Sequence, residues 1–185
     1  MKKSALVVTV VAVPCSLGMA QAADEKKATM TSVLDGTVKT IEGELVPAVE
    51  AMPEDKFGFT PTSGEFKGVR TFGQQAKHVA AVNYIVAATI LGEKAPIDTG
   101  GEKGPDSITS KADIVKFLKD SFVYAHKAVG SINEGNAVAP IKNPFGERTT
   151  TRLGMGTVFA SHGFDHYGQM VVYLRSNGIV PPASR

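Results

Sequence analysis

The residues of this chain best suited to chemistry are its four histidines, His78, His126, His162 and His166. His162 and His166 stand four apart, so on a helix both project from one face. That face also carries Met155, Phe159, Met170 and Tyr173, which makes it the apolar, core-facing stripe. Two imidazoles set into such a stripe cost energy unless something satisfies them. A divalent ion does so: neutral imidazole is a good ligand for zinc, nickel, copper or iron, and histidines at this spacing can hold one ion together. His78 is the third candidate. If its helix lies beside that of His162 and His166, the three complete a site with no fourth protein ligand, and an open position is what a catalytic metal needs for activating water.

Other readings of the same residues stay open. A pair of the form H-x-x-x-H can be two core histidines, and His78 alone can be a satisfied core histidine. His126 borders another apolar stripe and reads as a partly exposed structural histidine. Asp165 and Gln169 flank the pair and are the candidate catalytic assistants: Asp165 to orient an imidazole, Gln169 to bond a ligand or metal-bound water. Asp165 can equally face solvent, and Gln169 can equally bridge two helices. Tyr173 reads as core with its hydroxyl satisfied, and Arg175 as a surface charge near a helix C-terminus.

The elements that must position these residues are helical. Val33, Leu34, Val38, Ile41, Leu45 and Val49 repeat at helical spacing over Thr29–Ala51, with Pro47 expected to kink the end. Thr71 followed by Gln74 is a capping box opening a second helix that runs to Gly92, apolar nearly all round and therefore central. Ser110 with Asp113 opens a third, carried by Ile114, Phe117, Leu118, Phe122, Ala125, Val129 and Ile132. A fourth is expected from about Gly154 to Asn177, stopped by Gly178 and Pro181-Pro182. Residues 92–109 and 133–152 are rich in Gly, Pro and Asn and read as long loops able to cover a site, the second with at most a short extended piece. The fold class is therefore all-α, a four-helix bundle, and the long loops permit a crossover instead of a simple up-down order.

The N-terminus predicts export. Lys2 and Lys3 precede an apolar run from Ala5 to Val13, too short to span a bilayer, and Ala20-Gln21-Ala22 is a cleavage signature. The chain of 185 residues thus divides into a signal peptide at 1–22 and one domain at 23–185. A periplasmic or secreted location is expected, with cleavage after Ala22. Formal net charge is +2; removing Lys2 and Lys3 leaves 18 basic residues (20 less two) against 18 acidic. A balanced charge takes away the electrostatic case for nucleic acid or an anionic membrane as partner. Aromatics are 7% with no tryptophan, so no platform for stacking bases stands out. The one cysteine, Cys15, falls in the signal, and Pro14 before it argues against lipid attachment. The mature domain is left with no thiol and no disulfide. Neither a Ser-His-Asp arrangement nor a phosphate-cradling glycine loop stands out.

Two segments carry a resemblance. They are Phe72-Gly-Gln-Gln-Ala-Lys-His78-Val-Ala-Ala-Val-Asn83, and Ser161-His-Gly-Phe-Asp-His166-Tyr-Gly-Gln169-Met-Val-Val-Tyr-Leu-Arg175 with Asn-Gly-Ile-Val-Pro-Pro after it. The chain resembles the DinB/YfiT-like superfamily of metalloenzymes over about residues 28–183. Its pattern H-x-x-x-H-[RY]-G-Q maps onto His162, His166, Tyr167, Gly168 and Gln169, with His78 as third ligand. The resemblance implies a four-helix bundle, a three-histidine site for one divalent cation (zinc or nickel), and often a homodimer. It implies a small-molecule substrate, with hydrolase or thiol-dependent transferase activity among relatives. Low-molecular-weight thiols are chiefly cytosolic, so the expected export separates this chain from them: the ligands carry over, the reaction does not. Two rival readings remain. One is a metal-binding module without catalysis, its sphere closed by His126 or Asp165. The other is a structural bundle whose histidines bond to one another.

Overall fold

The computed structural model describes residues 27–185; the expected export segment and its expected cleavage site lie outside them. Four helices dominate: α1 Met30–Ala51, α2 Phe72–Leu91, α3 Lys111–Gly130 and α4 Arg152–Ser176. Two three-residue strands, β1 Pro140–Lys142 and β2 Thr149–Thr151, pair antiparallel in the α3–α4 connection, Ile141 opposite Thr150. Single 3-10 turns occupy Glu54–Lys56, Gly101–Lys103 and Pro182–Ser184. Among the described residues no helix is long and apolar enough to cross a membrane.

The helices begin where their caps dictate. The Thr29 hydroxyl accepts from the Ser32 amide at 3.1 Å and the Ser32 hydroxyl accepts from the Thr29 amide at 2.9 Å. Thr71 and Gln74 make the same reciprocal pair at the head of α2. Ser110 accepts from the Asp113 amide at 3.1 Å at the head of α3. Each pair satisfies orphan N–H groups of a first turn. Gly92 closes α2 in the left-handed region at φ 71°, a conformation that costs glycine little. α1 continues past Pro47 to Ala51. α4 starts at Arg152, two residues before the expected Gly154, because the Thr151 hydroxyl accepts from the Gly154 amide and is itself the cap.

α2 packs against α3 and α4, and α1 packs against the same two helices. α1 and α2 scarcely touch, and α3 and α4 touch little, so each of these pairs lies across a diagonal and the order is not simple up-down. α2 is the central element, with apolar residues buried on every side. Phe72, Phe122, Phe159, Ile41, Leu45, Leu118 and Met170 are among the largest fully buried side chains. Val33 departs from the expected stripe: it is 57% exposed while its neighbour Leu34 is buried. The two are about 100° apart on the helix, and only Leu34 faces the other helices.

One contact sets how closely α4 can approach. A Cβ placed at Gly163 would lie 2.6 Å from Ile41 Cγ1. The lack of a side chain at Gly163 lets α1 and α4 close together, and Gly163 sits directly after His162 in the helix that carries the pair.

Candidate metal centre

The α2–α4 contact brings His78, His162 and His166 together. Each offers one ring nitrogen, and these atoms lie within 4.8 Å of one another. Ring centroids are 4.9 Å apart for His78–His162, 4.7 Å for His78–His166 and 4.5 Å for His162–His166. The triangle is nearly equilateral. His78 and His166 are buried and His162 is half-buried.

The outer nitrogens of two rings are committed. His78 Nδ1 is 2.6 Å from the Glu102 carbonyl, and His166 Nδ1 is 2.5 Å from Gln75 Oε1. Both partners are oxygens that only accept, so both Nδ1 atoms carry the proton and both Nε2 atoms keep a lone pair. Fixing the tautomer through the far nitrogen is how metal-binding histidines are prepared. His162 Nε2 faces His78 Nε2 at 3.0 Å. His162 Nδ1 is buried with no hydrogen-bond partner, so nothing outside the triad fixes this ring's proton.

Burial holds the His162 imidazole down to about 3, and the charges that His166 and His78 would carry push the same way. Burial holds His166 down to about 4, helped by His78 and then Arg70. Burial also lowers His78, against the hydrogen bond to the Glu102 carbonyl, which favours its charged form. All three rings are therefore neutral at pH 7, the form in which imidazole binds metal. Three neutral nitrogen donors at this separation could hold a divalent ion of the zinc or nickel kind, whereas calcium and magnesium prefer oxygen.

A hydrogen-bond chain runs outward from His166. Gln75 Nε2 donates to Gln169 Oε1 at 2.9 Å, and Gln169 Nε2 donates to Asp165 Oδ2 at 3.1 Å. The Asp165 carboxylate can only accept, which fixes the direction of every bond back to His166 Nδ1. Gln169 thus bridges α2 and α4 and lines a cleft of about 590 Å³ beside the triad. Asp165 is exposed and reaches His166 only through the two amides. Gln75, fully buried, is the member that sequence spacing alone does not single out.

The other candidates lie elsewhere. His126 sits between α3 and α1, its Nδ1 2.6 Å from Asp35 and its Nε2 3.0 Å from Glu42. The Tyr173 hydroxyl donates to the Arg70 carbonyl at 2.9 Å. Arg175 is exposed and contacts the Ser184 hydroxyl at 3.4 Å. Of the two glycine-rich loops, 92–109 reaches the triad through Glu102, while 133–152 contributes nothing to the walls of the cleft.

No curated protein matches the chain. Among solved structures, a DinB-like protein from Bacillus cereus ATCC 10987 has the same fold, with a TM-score of 0.63 at 17% identity over 80% of this chain and 95% of that one. The sequence model of the DinB superfamily matches residues 38–170. That span holds all three histidines and most of the helices that position them, and the chain belongs to the DinB superfamily.

Proposed function

We propose that this protein binds one divalent cation through His78, His162 and His166 and acts as a metal-dependent enzyme on a small molecule, by hydrolysis or by transfer to a thiol. The observation that carries the reading is the pair of committed Nδ1 atoms. With Glu102 and Gln75 holding the outer nitrogens, the inner lone pairs of His78 and His166 are turned into the triad, where the His162 ring, 3.0 Å from His78 Nε2, is the one polar neighbour of His78 Nε2 among the described residues. When bound, a divalent ion supplies Lewis acidity and an open coordination position.

The position of the two candidate fourth ligands supports an open site. His126 is held between Asp35 and Glu42, and Asp165 is bonded to Gln169. The cleft meets the triad through Gln75, which lines it and accepts from His166, so a substrate would approach from that side, with Gln169 on the wall to hold a polar group and Asp165 behind it to keep the Gln169 amide oriented. We place the mature protein outside the cytoplasm on the strength of Lys2-Lys3, the apolar run and the Ala20-Gln21-Ala22 site.

Elemental analysis of the purified protein tests the metal. About one divalent ion per chain is expected, and it should be lost in both His78→Ala and His162→Ala. No ion in the unaltered protein after reconstitution with zinc or nickel overturns the reading. Turnover of ester, amide and thiol-acceptor panels by the loaded protein, absent in His162→Ala, tests the catalytic part.

A further inference from the structure

The cleft beside the triad has a charge of its own. Arg70, Lys77 and Lys103 line it, from three different segments: the loop before α2, α2 itself and the turn 101–103. Asp106 is the one carboxylate in its wall; Glu102, next to His78, and Asp165, bonded to Gln169, stand outside it. Among the described residues none of the three cations forms an ion pair, although Lys39, Lys56, Lys116, Lys119 and Lys127 all do.

The fold fixes the backbone from which these cations reach the cleft. The Arg70 carbonyl accepts the Tyr173 hydroxyl from α4. Gly104, at φ 79°, packs so closely on Lys77 that a Cβ there would lie 3.0 Å from both its Cβ and Cε. The same turn is pinned through the Glu102 carbonyl to His78 Nδ1, which fixes the residue before Lys103. Arg70 is near enough to the triad that its charge disfavours protonation of all three rings.

Like charges gathered around one concave surface raise the local concentration of the opposite charge. Three neutral imidazoles leave the charge of a divalent ion uncompensated, and the cleft adds three cations against one acid. We propose that this cleft binds a small anion, a carboxylate or a phosphate, as the charged end of the substrate, with Arg70, Lys77 and Lys103 as its partners. The word substrate rests on the proposed metal-dependent function; the cationic cleft is present with or without the ion.

The test is calorimetric titration of the full protein, zinc-loaded and metal-free, with inorganic phosphate and separately with succinate at low ionic strength. Arg70→Gln, Lys77→Gln, Lys103→Gln and the triple variant are titrated beside it, with metal content and helical circular dichroism measured on every sample. At least one anion is expected to bind, and which one separates phosphate from carboxylate. Each single variant should weaken binding about threefold to tenfold. The triple variant should abolish it with metal content and fold unchanged, and Arg70→Lys should recover part of what Arg70→Gln loses. If neither anion binds, or if the triple variant binds as well as the unaltered protein, the anion site is overturned. Failure of the metal reading shows up separately, as no bound ion, and the metal-free titrations then still decide the anion site.

Discussion

His166 Nδ1 donates to Gln75 Oε1 at 2.5 Å, from α4 to α2, inside the bundle. The bond does two things. It ties together the two helices that supply the histidines, and it keeps the proton off the nitrogen that faces His78 and His162. Replacing Gln75 by Leu removes both and leaves a buried N–H without a partner. Zinc affinity is expected to fall about 10- to 100-fold, the usual cost of losing such a partner. Gln75→Glu keeps an oxygen acceptor at the same reach and should lose much less. Competitive titration against a chromophoric chelator measures both. Equal affinity in Gln75→Leu and the unaltered protein would show that the bond does not prepare the ring.

The pH dependence of the metal-free protein follows from the depressed histidines. Unfolded, each ring titrates near its ordinary 6.5; folded, His162 and His166 stay neutral down to about 3 and about 4. Above 6.5 neither state is protonated and the rings contribute nothing to pH dependence. Below 6.5 the unfolded chain takes up protons that the folded chain refuses, so stability falls as pH falls. Each ring held neutral contributes a slope of about 1.4 kcal/mol per pH unit until the folded value is reached. Urea unfolding of the stripped protein between pH 7.5 and 4.5 measures this. With His162→Ala or His166→Ala the slope should become shallower; an unchanged slope in both would assign the acid sensitivity to other groups.

His126 holds the bundle together and takes no part in the metal site. It bridges Asp35 and Glu42 across α3 and α1, remote from the triad, and all three side chains are only partly exposed. His126→Ala is expected to cost about 1 kcal/mol, the usual net worth of a side-chain hydrogen bond. It should leave one divalent ion per chain bound. Thermal melts and elemental analysis on the same sample check the two halves together. Loss of the ion in a folded His126→Ala protein would return this residue to the list of ligands.

What could be seen in the sequence was what is local along the chain. Thr71–Gln74 and Ser110–Asp113 are three residues apart and make the caps their spacing implies. His162 and His166 share a face because four residues bring a helix nearly once round. The partners that complete the site are of another kind. Gln75 and His166 are 91 residues apart, and Glu102 acts through its backbone carbonyl, which no side-chain pattern reports. The hairpin at 140–142 and 149–151 has three residues per strand, too few for a period of two to stand out. Val33 lies in register with apolar neighbours yet faces outward, because a helical pattern marks a stripe without marking its edges.

Gly163 links the packing of the bundle to the site. Its missing Cβ is the space into which Ile41 Cγ1 reaches, and Ile41 is fully buried. Gly163→Ala improves intrinsic helix propensity by about 1 kcal/mol, which alone would stabilise α4. The clash acts against it. At 2.6 Å the atoms overlap, and the overlap falls on Cγ1, one bond out from the branched Cβ, not on the tip of a flexible chain. Overpacking of this kind costs about 1–3 kcal/mol, so a net loss is expected. The displacement of α4 away from α1 should also be felt at His162, the adjoining residue, as weaker zinc binding. The paired variant Gly163→Ala with Ile41→Ala removes Cγ1, the atom of contact, and leaves only Cβ at 3.7 Å, so it should recover part of the lost zinc affinity. Urea unfolding and chelator competition on the single and double variants check the argument. A Gly163→Ala protein more stable than the parent would mean that α1 and α4 part at no cost and that the close approach does not set the position of the histidines.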